Sequence, residues 1–335
     1  MRRLSAFFMC TAFSLVFIGG GIRVVSGSAD EIEVYVGGMP AGFTLKTGGV
    51  QIIGLNEVAT ESGSQTPAVT GGLRAGDIIQ KAGGIFVEGI ADLNEIVDKS
   101  KGKPLKLEVL RGKDIISLSV QPVRDRVSNR YKIGVLVRES LSGIGTVTYI
   151  DKGTRRFGAL GHAVAGENQE EMQISSGFVY ECSIVGICRG VRGKAGELKG
   201  MFINDKQLGS AEKLCECGIF GEITQEFKVD GLMSAVSSSN NVKPGEAYIY
   251  STVSGVSPEK YEIEIVKVDK LNRENKNYVI KITDEKLISE TGGIVQGMSG
   301  SPILQDGRLV GAVTHVFLND PTRGYGIDIE RMMRE

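Results

Sequence analysis

Ser299 and His162 are the two residues of this sequence best suited to act together in nucleophilic chemistry. Ser299 lies in the segment GMSGSP, and His162, one of only two histidines, lies in RRFGALGHAVAG. A serine hydroxyl is a weak nucleophile at neutral pH, so a histidine must accept its proton. The glycines beside both residues let the backbone turn sharply and approach a ligand closely. This pattern predicts acyl-transfer chemistry in which His162 is the general base.

The same glycine-rich segment contains a candidate oxyanion hole. When a carbonyl becomes tetrahedral, its oxygen gains negative charge that backbone N–H groups must stabilise, and one such donor contributes about 3–4 kcal/mol. Gly297 stands two positions before Ser299 and adds no Cβ near the developing charge. We therefore predict that the N–H groups of Gly297 and Ser299 hold the oxyanion. The second histidine, His315, is expected to line a pocket or the core.

Composition indicates a mainly β protein with no role in binding nucleic acid. The chain has 335 residues, 46 glycines, no tryptophan and a net charge of -1. Lys and Arg are scattered among Asp and Glu, and no basic stripe of the kind that nucleic acids require is present. Many short Val- and Ile-rich runs without βαβ spacing favour a barrel or sandwich.

The N-terminus predicts export across a membrane. Met1-Arg2-Arg3 precedes an uncharged stretch from Leu4 to Ile22, which is the arrangement of a signal peptide or a signal-anchor. Small residues at Gly27-Ser28-Ala29 could be a cleavage site, and an uncleaved anchor remains open because the stretch is almost long enough to span a bilayer. Residues 1–29 are assigned to this segment, and the rest of the chain is expected to work outside the cytoplasm.

Four cysteines outside the signal fall into two pairs, Cys182 with Cys188 and Cys215 with Cys217. Their spacing does not match the two to four intervening residues usual for zinc. Buried free thiols are the leading interpretation, with disulfides and a metal site as alternatives. No metal ion and no other cofactor is predicted.

Residues 34–123 are predicted to form a first folded domain. GLRAGDII pairs a short packed helix with a turn and a buried strand, IADLNEIVDKS is an amphipathic helix, and PLKLEVLRGKDIISLSVQPV alternates as a hairpin. Together these segments resemble a PDZ domain. The resemblance implies an α+β fold that binds peptide termini by adding a strand, with contacts at Gly42, Phe43, Thr44 and Leu45. A PDZ fold that serves only as a rigid spacer is the alternative.

Residues 124–132 are predicted to be a charged linker, and residues 133–335 to be a second domain rich in strands. Within it, GMSGSP resembles the nucleophile motif of chymotrypsin-like serine proteases. That resemblance implies a double β-barrel, with Ser299 as the nucleophile and Ser301 as a structural neighbour. It also implies that Thr314, His315 and Val316 pair with the substrate backbone.

Met298 marks a departure from the digestive members of that class, in which an acidic residue before the nucleophile pairs with a newly cleaved N-terminus. That route of activation is absent here. Control of activity is therefore expected to come from elsewhere, and the PDZ domain is the leading candidate.

The order of the signal, the PDZ domain, FGALGHA, TDEKLISETGGIVQGMSGSPI and AVTHVFLNDPTRGYGI resembles the sporulation factor IV B peptidases of endospore-forming bacteria. The resemblance implies that Asp284 is the carboxylate of a triad with His162 and Ser299. An aspartate so near the nucleophile in sequence is unusual for chymotrypsin-like enzymes, and three other aspartates remain open: Asp205, Asp230 and Asp328.

The family resemblance also implies a role in sporulation. The expected enzyme is secreted from the forespore into the space between two membranes and cleaves itself. It then cleaves a membrane-anchored inhibitor of the metalloprotease that processes pro-sigma K, which starts late mother-cell gene expression. The alternative is a non-catalytic exported PDZ adaptor with a protease-like domain.

Overall fold

The computed structural model describes residues 32–161, 176–224 and 233–335, with main chain alone at 204–206. The predicted signal or anchor at residues 1–29 lies outside the described residues. Residues 32–335 form one compact unit. The protein is mainly β, as predicted.

Twenty-two strands and four helices make up the described part of the chain. The first strands and helices in chain order are β1 (Glu33–Val36), β2 (Pro40–Leu55), β3 (Val58–Thr60), β4 (Gly63–Gln65), α1 (Pro67–Thr70), β5 (Ile78–Ala82), β6 (Ile85–Phe86), α2 (Ile90–Lys99), β7 (Leu105–Arg111), β8 (Asp114–Val120), β9 (Val123–Arg124) and β10 (Tyr131–Lys132). These are followed by β11 (Val135–Asp151), β12 (Arg156–Leu160), β13 (Ser176–Cys188), β14 (Glu197–Cys215), β15 (Gly218–Ile223), β16 (Ser234–Val236), β17 (Gly245–Ser251), β18 (Glu259–Val268), β19 (Tyr278–Ile282), α3 (Glu285–Thr291), β20 (Pro302–Gln305), β21 (Arg308–Phe317), β22 (Asp320–Asp328) and α4 (Ile329–Met333).

The first barrel is a ring of six antiparallel strands. Its order is β2, β11, β12, β15, β14 and β13, and the pairing of β13 with β2 closes the ring. Buried side chains fill it, among them Phe43, Leu45, Leu141 and Phe157. The long strands carry register shifts, which bend a strand locally and help a sheet to close.

The second barrel is also closed, in the order β17, β18, β19, β22, β21 and β20. Tyr261, Ile263 and Ile265 of β18 point into its core, and the intervening glutamates are exposed, as the alternating sequence predicts. Asp306-Gly307 forms the tight turn of a hairpin, as an Asp-Gly pair favours, since both residues have positive φ and Gln305 pairs with Arg308. The predicted double barrel is therefore confirmed.

A PDZ-like module lies between β2 and β11 in the chain. It contains the second half of β2, strands β5, β7 and β8, and the helices α1 and α2. Leu93 and Val97 of α2 are buried against this sheet. Asp77, in the turn before β5, is buried and accepts hydrogen bonds from Arg111 Nε and Nη2, both 2.7 Å, and from the Arg74 N–H, 2.9 Å.

The structure corrects the predicted domain boundaries because two strands belong to both parts of the fold. Residues 40–46 of β2 lie in the first barrel, although they were assigned to the PDZ domain. The first part of β11, from Val135, pairs with the second half of β2 and so extends the PDZ-like sheet. The predicted linker 124–132 is a small hairpin of β9 and β10, in which Asp125 accepts hydrogen bonds from the Ser128 N–H and hydroxyl and from Lys132 Nζ.

The predicted peptide contacts are also corrected. Gly42, Phe43, Thr44 and Leu45 lie in the middle of β2, where β11 pairs along one edge and β13 along the other. Phe43 and Leu45 point into the barrel core. This segment has no unpaired edge to which a peptide strand could add.

No helix among the described residues has the length and apolar character required to cross a membrane.

We predict that the Asp77–Arg111 pair stabilises the PDZ-like module. Asp77→Asn removes the charge that holds the guanidinium, while Arg111 keeps 30% exposure and can be partly rehydrated. The free energy of unfolding should fall by roughly 2 kcal/mol, below the range of about 3–5 for fully buried pairs. Urea unfolding monitored by circular dichroism measures this change. Asp114→Asn, on an exposed residue beside Arg111, is the control, and equal unfolding midpoints for both variants would contradict the prediction.

Candidate active site

The candidate nucleophile lies in the turn between α3 and β20. Ser299 is only 5% exposed, and its hydroxyl donates a hydrogen bond to the main-chain oxygen of Thr314, 2.7 Å away. Strand β21 loses its regular pairing with β22 between Val313 and Val316, and Thr314 lies in this irregular stretch. The structure thus brings together two residues that were predicted from separate sequence segments.

The orientation of the two predicted oxyanion donors follows from neighbouring carbonyl groups. In a trans peptide the C=O and N–H point in opposite directions. The carbonyl of Gln296 accepts a hydrogen bond from the Leu198 N–H, 2.8 Å, so the N–H of Gly297 points away from Leu198. The carbonyl of Met298 accepts a hydrogen bond from the Ser301 N–H, 2.9 Å, so the N–H of Ser299 points away from the Ser301 N–H. Both amide planes are therefore fixed before a substrate binds.

Two threonines of β11 hold the same turn from the first barrel. Thr146 Oγ1 donates to the carbonyl of Gly297, 2.7 Å, and Thr148 Oγ1 donates to the carbonyl of Gly300, 2.8 Å. Gly300 has φ +96°, and a Cβ added there would lie 2.3 Å from the main-chain carbonyl oxygen of Thr146. No residue other than glycine therefore fits at this position. Sequence reasoning missed both threonines, because a Thr-Val-Thr strand has no catalytic signature.

His162, the predicted general base, lies outside the described residues. The strand that leads to it is described: β12 pairs with β11, and Leu160 lies opposite Thr146. The main-chain nitrogen of Leu160 would be 2.9 Å from a Cβ on Gly300. The chain therefore passes directly against the nucleophile turn two residues before His162, and the role of His162 stays a prediction.

Asp284 is the N-cap of α3. Its Oδ1 accepts from the Leu287 N–H, 2.9 Å, and its Oδ2 from the Glu262 N–H, 3.4 Å. These contacts give the aspartate a structural role, and its predicted role as the triad carboxylate remains to be tested.

The alternative aspartates differ in what the structure describes. Asp328 is buried, caps α4 through the Glu330 N–H and accepts a hydrogen bond from the Tyr278 hydroxyl, 2.8 Å. Burial raises its pKa above the usual range. These contacts commit Asp328 to the core of the second barrel. Asp230 lies outside the described residues, as does the side chain of Asp205.

The remaining predicted site residues lie beside the nucleophile. Thr314 is buried, and its hydroxyl donates to the Asn275 carbonyl, 3.2 Å. His315 and Val316 follow it on β21 and are half-buried. Met298 is fully buried in the core of the second barrel, where a carboxylate would be costly.

The four cysteines are free thiols with different surroundings. Cys182 and Cys217 are buried, but Cys188 is exposed, so the prediction that all four are buried is wrong. Burial raises the pKa of Cys182 to about 11. Cys215 ends β14, and Cys217 lies in the turn before β15. A hydrogen bond with Cys215 and the nearby Arg331 guanidinium lower the pKa of Cys217.

A possible group of metal ligands includes these last two thiols. Their sulfur atoms and a carboxylate oxygen of Glu335 lie within 4.8 Å of one another. Lys213 Nζ is 2.6 Å from that carboxylate. Lys213 already provides positive charge to the Glu335 carboxylate, and Arg331 provides it to the Cys217 thiol. The arrangement therefore favours ion pairs with these two side chains over binding of a metal ion.

We predict that Asp284→Asn separates capping from catalysis. Asparagine is as good an N-cap as aspartate, so the unfolding midpoint should change little. If Asp284 orients the general base, the loss of its charge should lower kcat by at least 100-fold, since such a change can cost about 10⁴ in a triad. Hydrolysis of a chromogenic ester measures this effect. Unchanged kcat would show that Asp284 only caps α3, and Asp306→Asn, on an exposed residue of the turn between β20 and β21, is the control.

Comparison with known proteins places these observations in a family. The model of the SpoIVB peptidase S55 family matches residues 129–333. A curated relative from Lactococcus lactis, named as the zinc metalloprotease LL2128, is 33% identical over 115 residues. That match covers 32% of this chain and 26% of the relative, so the chain spans about a quarter of the relative's length.

Two solved structures are also similar. The PDZ domain of the SdrC-like protein from Listeria monocytogenes is 18% identical with a TM-score of 0.22, and the match covers 27% of this chain and 87% of that one. The Rv3671c protease in an inactive form is 15% identical with a TM-score of 0.34, covering 58% of this chain and 82% of that one. The family match extends over the nucleophile turn, the second barrel and five of the six strands of the first, all except β2. The chain belongs to the SpoIVB peptidase S55 family.

Proposed function

We propose that this peptidase acts during sporulation, outside the cytoplasm, by cleaving itself and then a membrane-anchored inhibitor of the metalloprotease that processes pro-sigma K. The forespore would secrete it into the space between the two membranes, with its N-terminal segment holding it at a membrane before self-cleavage. Removal of the inhibitor would start late mother-cell gene expression. The observation that carries the proposal is the turn at Ser299, in which hydrogen bonds to the carbonyls of Gln296 and Met298 fix the amide planes of Gly297 and Ser299.

The proposed reaction begins when the Ser299 hydroxyl leaves the Thr314 carbonyl and turns towards the imidazole of His162. His162 takes the hydroxyl proton while Oγ bonds to the substrate carbonyl carbon, and the N–H groups of Gly297 and Ser299 bind the oxyanion. The C–N bond then breaks as His162 returns the proton to the leaving amine. Water then attacks the acyl carbonyl carbon while His162 takes a water proton, and the bond to Ser299 Oγ breaks as His162 returns that proton to Oγ.

The site favours an extended substrate. Ser299 is almost buried, and the main chain of Thr314 to Val316 departs from regular pairing beside it. A chain that adds along this stretch as a strand would bring its carbonyl to the nucleophile. An extended segment of a second copy or of an inhibitor fits this requirement better than a folded surface.

We predict that Ser299→Ala abolishes self-processing of the purified protein. Alanine lacks the nucleophilic oxygen, so mass spectrometry should show the full-length chain unchanged after incubation, and a fluorophosphonate probe should not label it. Ser301→Ala is the matched control, because Ser301 lies in the same turn and its hydroxyl bonds only to Ser251 Oγ, 3.0 Å, in the described contacts. This variant should be processed and labelled normally.

Different failures of this experiment have different meanings. Self-processing that persists in Ser299→Ala would overturn the assignment of the nucleophile. Failure of the folded wild-type protein to react with the probe would favour the adaptor. An active enzyme that leaves the extracytoplasmic part of the inhibitor intact would show that the proposed substrate is wrong.

A further inference from the structure

Two cysteines lie side by side at the tight turn between β14 and β15. Cys215 pairs with Gly218, and Glu216 and Cys217 form the turn between them. The two sulfur atoms lie within 4.8 Å of each other and share a hydrogen bond. A disulfide joins sulfur atoms about 2 Å apart, so a movement of a few ångström would bring this pair to bonding distance.

The two thiols differ in exposure and lie in a positively charged environment. Cys215 is half-buried, whereas Cys217 is only 5% exposed. The guanidinium of Arg331 lies near Cys217, and Lys213 Nζ pairs with the neighbouring Glu335 carboxylate, 2.6 Å away. Positive charge beside a thiol favours the thiolate, which is the form that attacks a disulfide. A reagent from solvent would therefore meet the sulfur of Cys215 first, with a second sulfur directly behind it.

The cysteine turn is joined to the candidate nucleophile through one buried asparagine. The Cys217 thiol donates to Asn275 Oδ1, 3.6 Å, and Asn275 Nδ2 donates to the carbonyl of Glu216, 2.7 Å. The carbonyl of Asn275 in turn accepts a hydrogen bond from the Thr314 hydroxyl, 3.2 Å. The carbonyl of Thr314 holds the hydroxyl of Ser299, 2.7 Å. A series of hydrogen bonds through two residues therefore connects Cys217 with Ser299.

The opposite side of the cysteine turn is closely packed. Gly218 has φ +143°, and a Cβ there would lie 2.4 Å from the carbonyl oxygen of Ala159 and 3.4 Å from Met332 Cε. The turn therefore has little room to move away from Asn275. A change at Cys217 must be accommodated on the Asn275 side.

We propose that Cys215 and Cys217 are a redox modification site, at which a low-molecular-weight disulfide converts the two thiols into a reversible disulfide that lowers peptidase activity. A disulfide that closes so short a loop adds little to the stability of the fold. The pair is therefore suited to reversible exchange and not to holding the barrel together. The disulfide itself stands on the geometry of the turn, whereas its effect on activity rests on the proposed function.

The disulfide forms in two exchange steps, with glutathione disulfide as the example. Cys215 Sγ, the more exposed sulfur, attacks one sulfur of the reagent, and the first glutathione leaves and takes up the proton that Cys215 has lost. Cys217 Sγ then attacks Cys215 Sγ in the mixed disulfide, and the second glutathione leaves with the proton of Cys217. The two protein thiols lose two electrons, which reduce glutathione disulfide to two molecules of glutathione.

The loss of the Cys217 proton explains the effect on activity. A disulfide sulfur carries no hydrogen, so Cys217 can no longer donate to Asn275 Oδ1. Asn275 then holds the Thr314 hydroxyl less firmly. Because the substrate is proposed to add along Thr314 to Val316, binding of the substrate and kcat/KM should both decrease.

Disulfide formation is tested without any measurement of activity, in the full chain carrying Ser299→Ala. The folded protein is equilibrated with mixtures of glutathione and glutathione disulfide, alkylated and digested with trypsin, which releases both cysteines on the peptide 214–228. Mass spectrometry should show that this peptide loses two hydrogens under oxidising conditions and regains them with dithiothreitol. Two alkylated thiols on this peptide at the most oxidising mixture would overturn the proposed site.

Single-cysteine variants identify the sulfur that attacks first. Cys217→Ser should retain one glutathione on Cys215, whereas Cys215→Ser should retain at least fivefold less, because Cys217 is nearly buried. Equal glutathionylation of the two folded variants would overturn the order of the steps. Cys188→Ser, on an exposed thiol of β13, is the control and should form the disulfide normally. Thermal unfolding confirms that each variant is folded.

The effect on catalysis is tested with active enzyme and a chromogenic peptide. Oxidation of the pair should lower kcat/KM at least threefold, and dithiothreitol should restore it. The double variant Cys215→Ser with Cys217→Ser keeps a hydroxyl that can donate to Asn275 and cannot form the disulfide, so its kcat/KM should be equal under both conditions. Unchanged kcat/KM of the oxidised wild-type enzyme, or an equal loss in the double variant, would overturn the connection.

A further variant tests the role of the asparagine. Asn275→Gly keeps the positive φ of +60° and the carbonyl that accepts from Thr314, but it removes the side-chain amide. Its kcat/KM should not respond to oxidation of the pair, and a response equal to that of the wild-type enzyme would overturn this role. A chain without peptidase activity in either redox state would count against the proposed function, while the mass of the peptide 214–228 still decides the disulfide.

Discussion

The turn that carries Ser299 depends on hydrogen bonds that fix its carbonyl groups in place. Because each peptide unit is rigid, a carbonyl held on one side determines where the neighbouring N–H points. The carbonyls of Gln296 and Met298 are held by main-chain donors, and that of Gly297 by the hydroxyl of Thr146. The N–H groups predicted to form the oxyanion hole are therefore oriented by the protein and would need little rearrangement during the reaction, which is the main source of electrostatic catalysis.

This arrangement makes the two barrels dependent on each other. The nucleophile turn belongs to the second barrel, but Thr146 and Thr148 come from the first, and Leu198 comes from β14 of the first. Met298 is buried in the core of the second barrel and anchors the turn from the other side. A shift of one barrel relative to the other would therefore move the N–H groups of this turn, even if the packing inside each barrel stayed the same.

The shared strands explain how a PDZ-like module can influence such a site. The module is inserted between β2 and β11, and both strands continue from its sheet into the first barrel. A hairpin ordered by Asp125 connects the module to β11. Because no flexible linker separates the two parts, an event in the module can reach the barrel through hydrogen-bonded backbone.

Local sequence determined the elements whose signals are short-range. The alternation at Tyr261 to Ile265, the Asp306-Gly307 turn and the amphipathic helix α2 could all be predicted, because the period of apolar residues and the φ of turn residues are local properties. The segment around Ser299 could be predicted equally well, because glycines on both sides of a serine permit a sharp turn and a close approach to a ligand. Tertiary structure alone decided which strands pair. Residues 42–45 alternate like an edge strand, yet they pair with β11 along one edge and with β13 along the other. Thr146 and Thr148 contact the turn in space, although they lie about 150 residues from it in sequence. Only the tertiary structure therefore makes them part of the site. Pairing partners so distant depend on the closure of the whole barrel, and no local pattern records them.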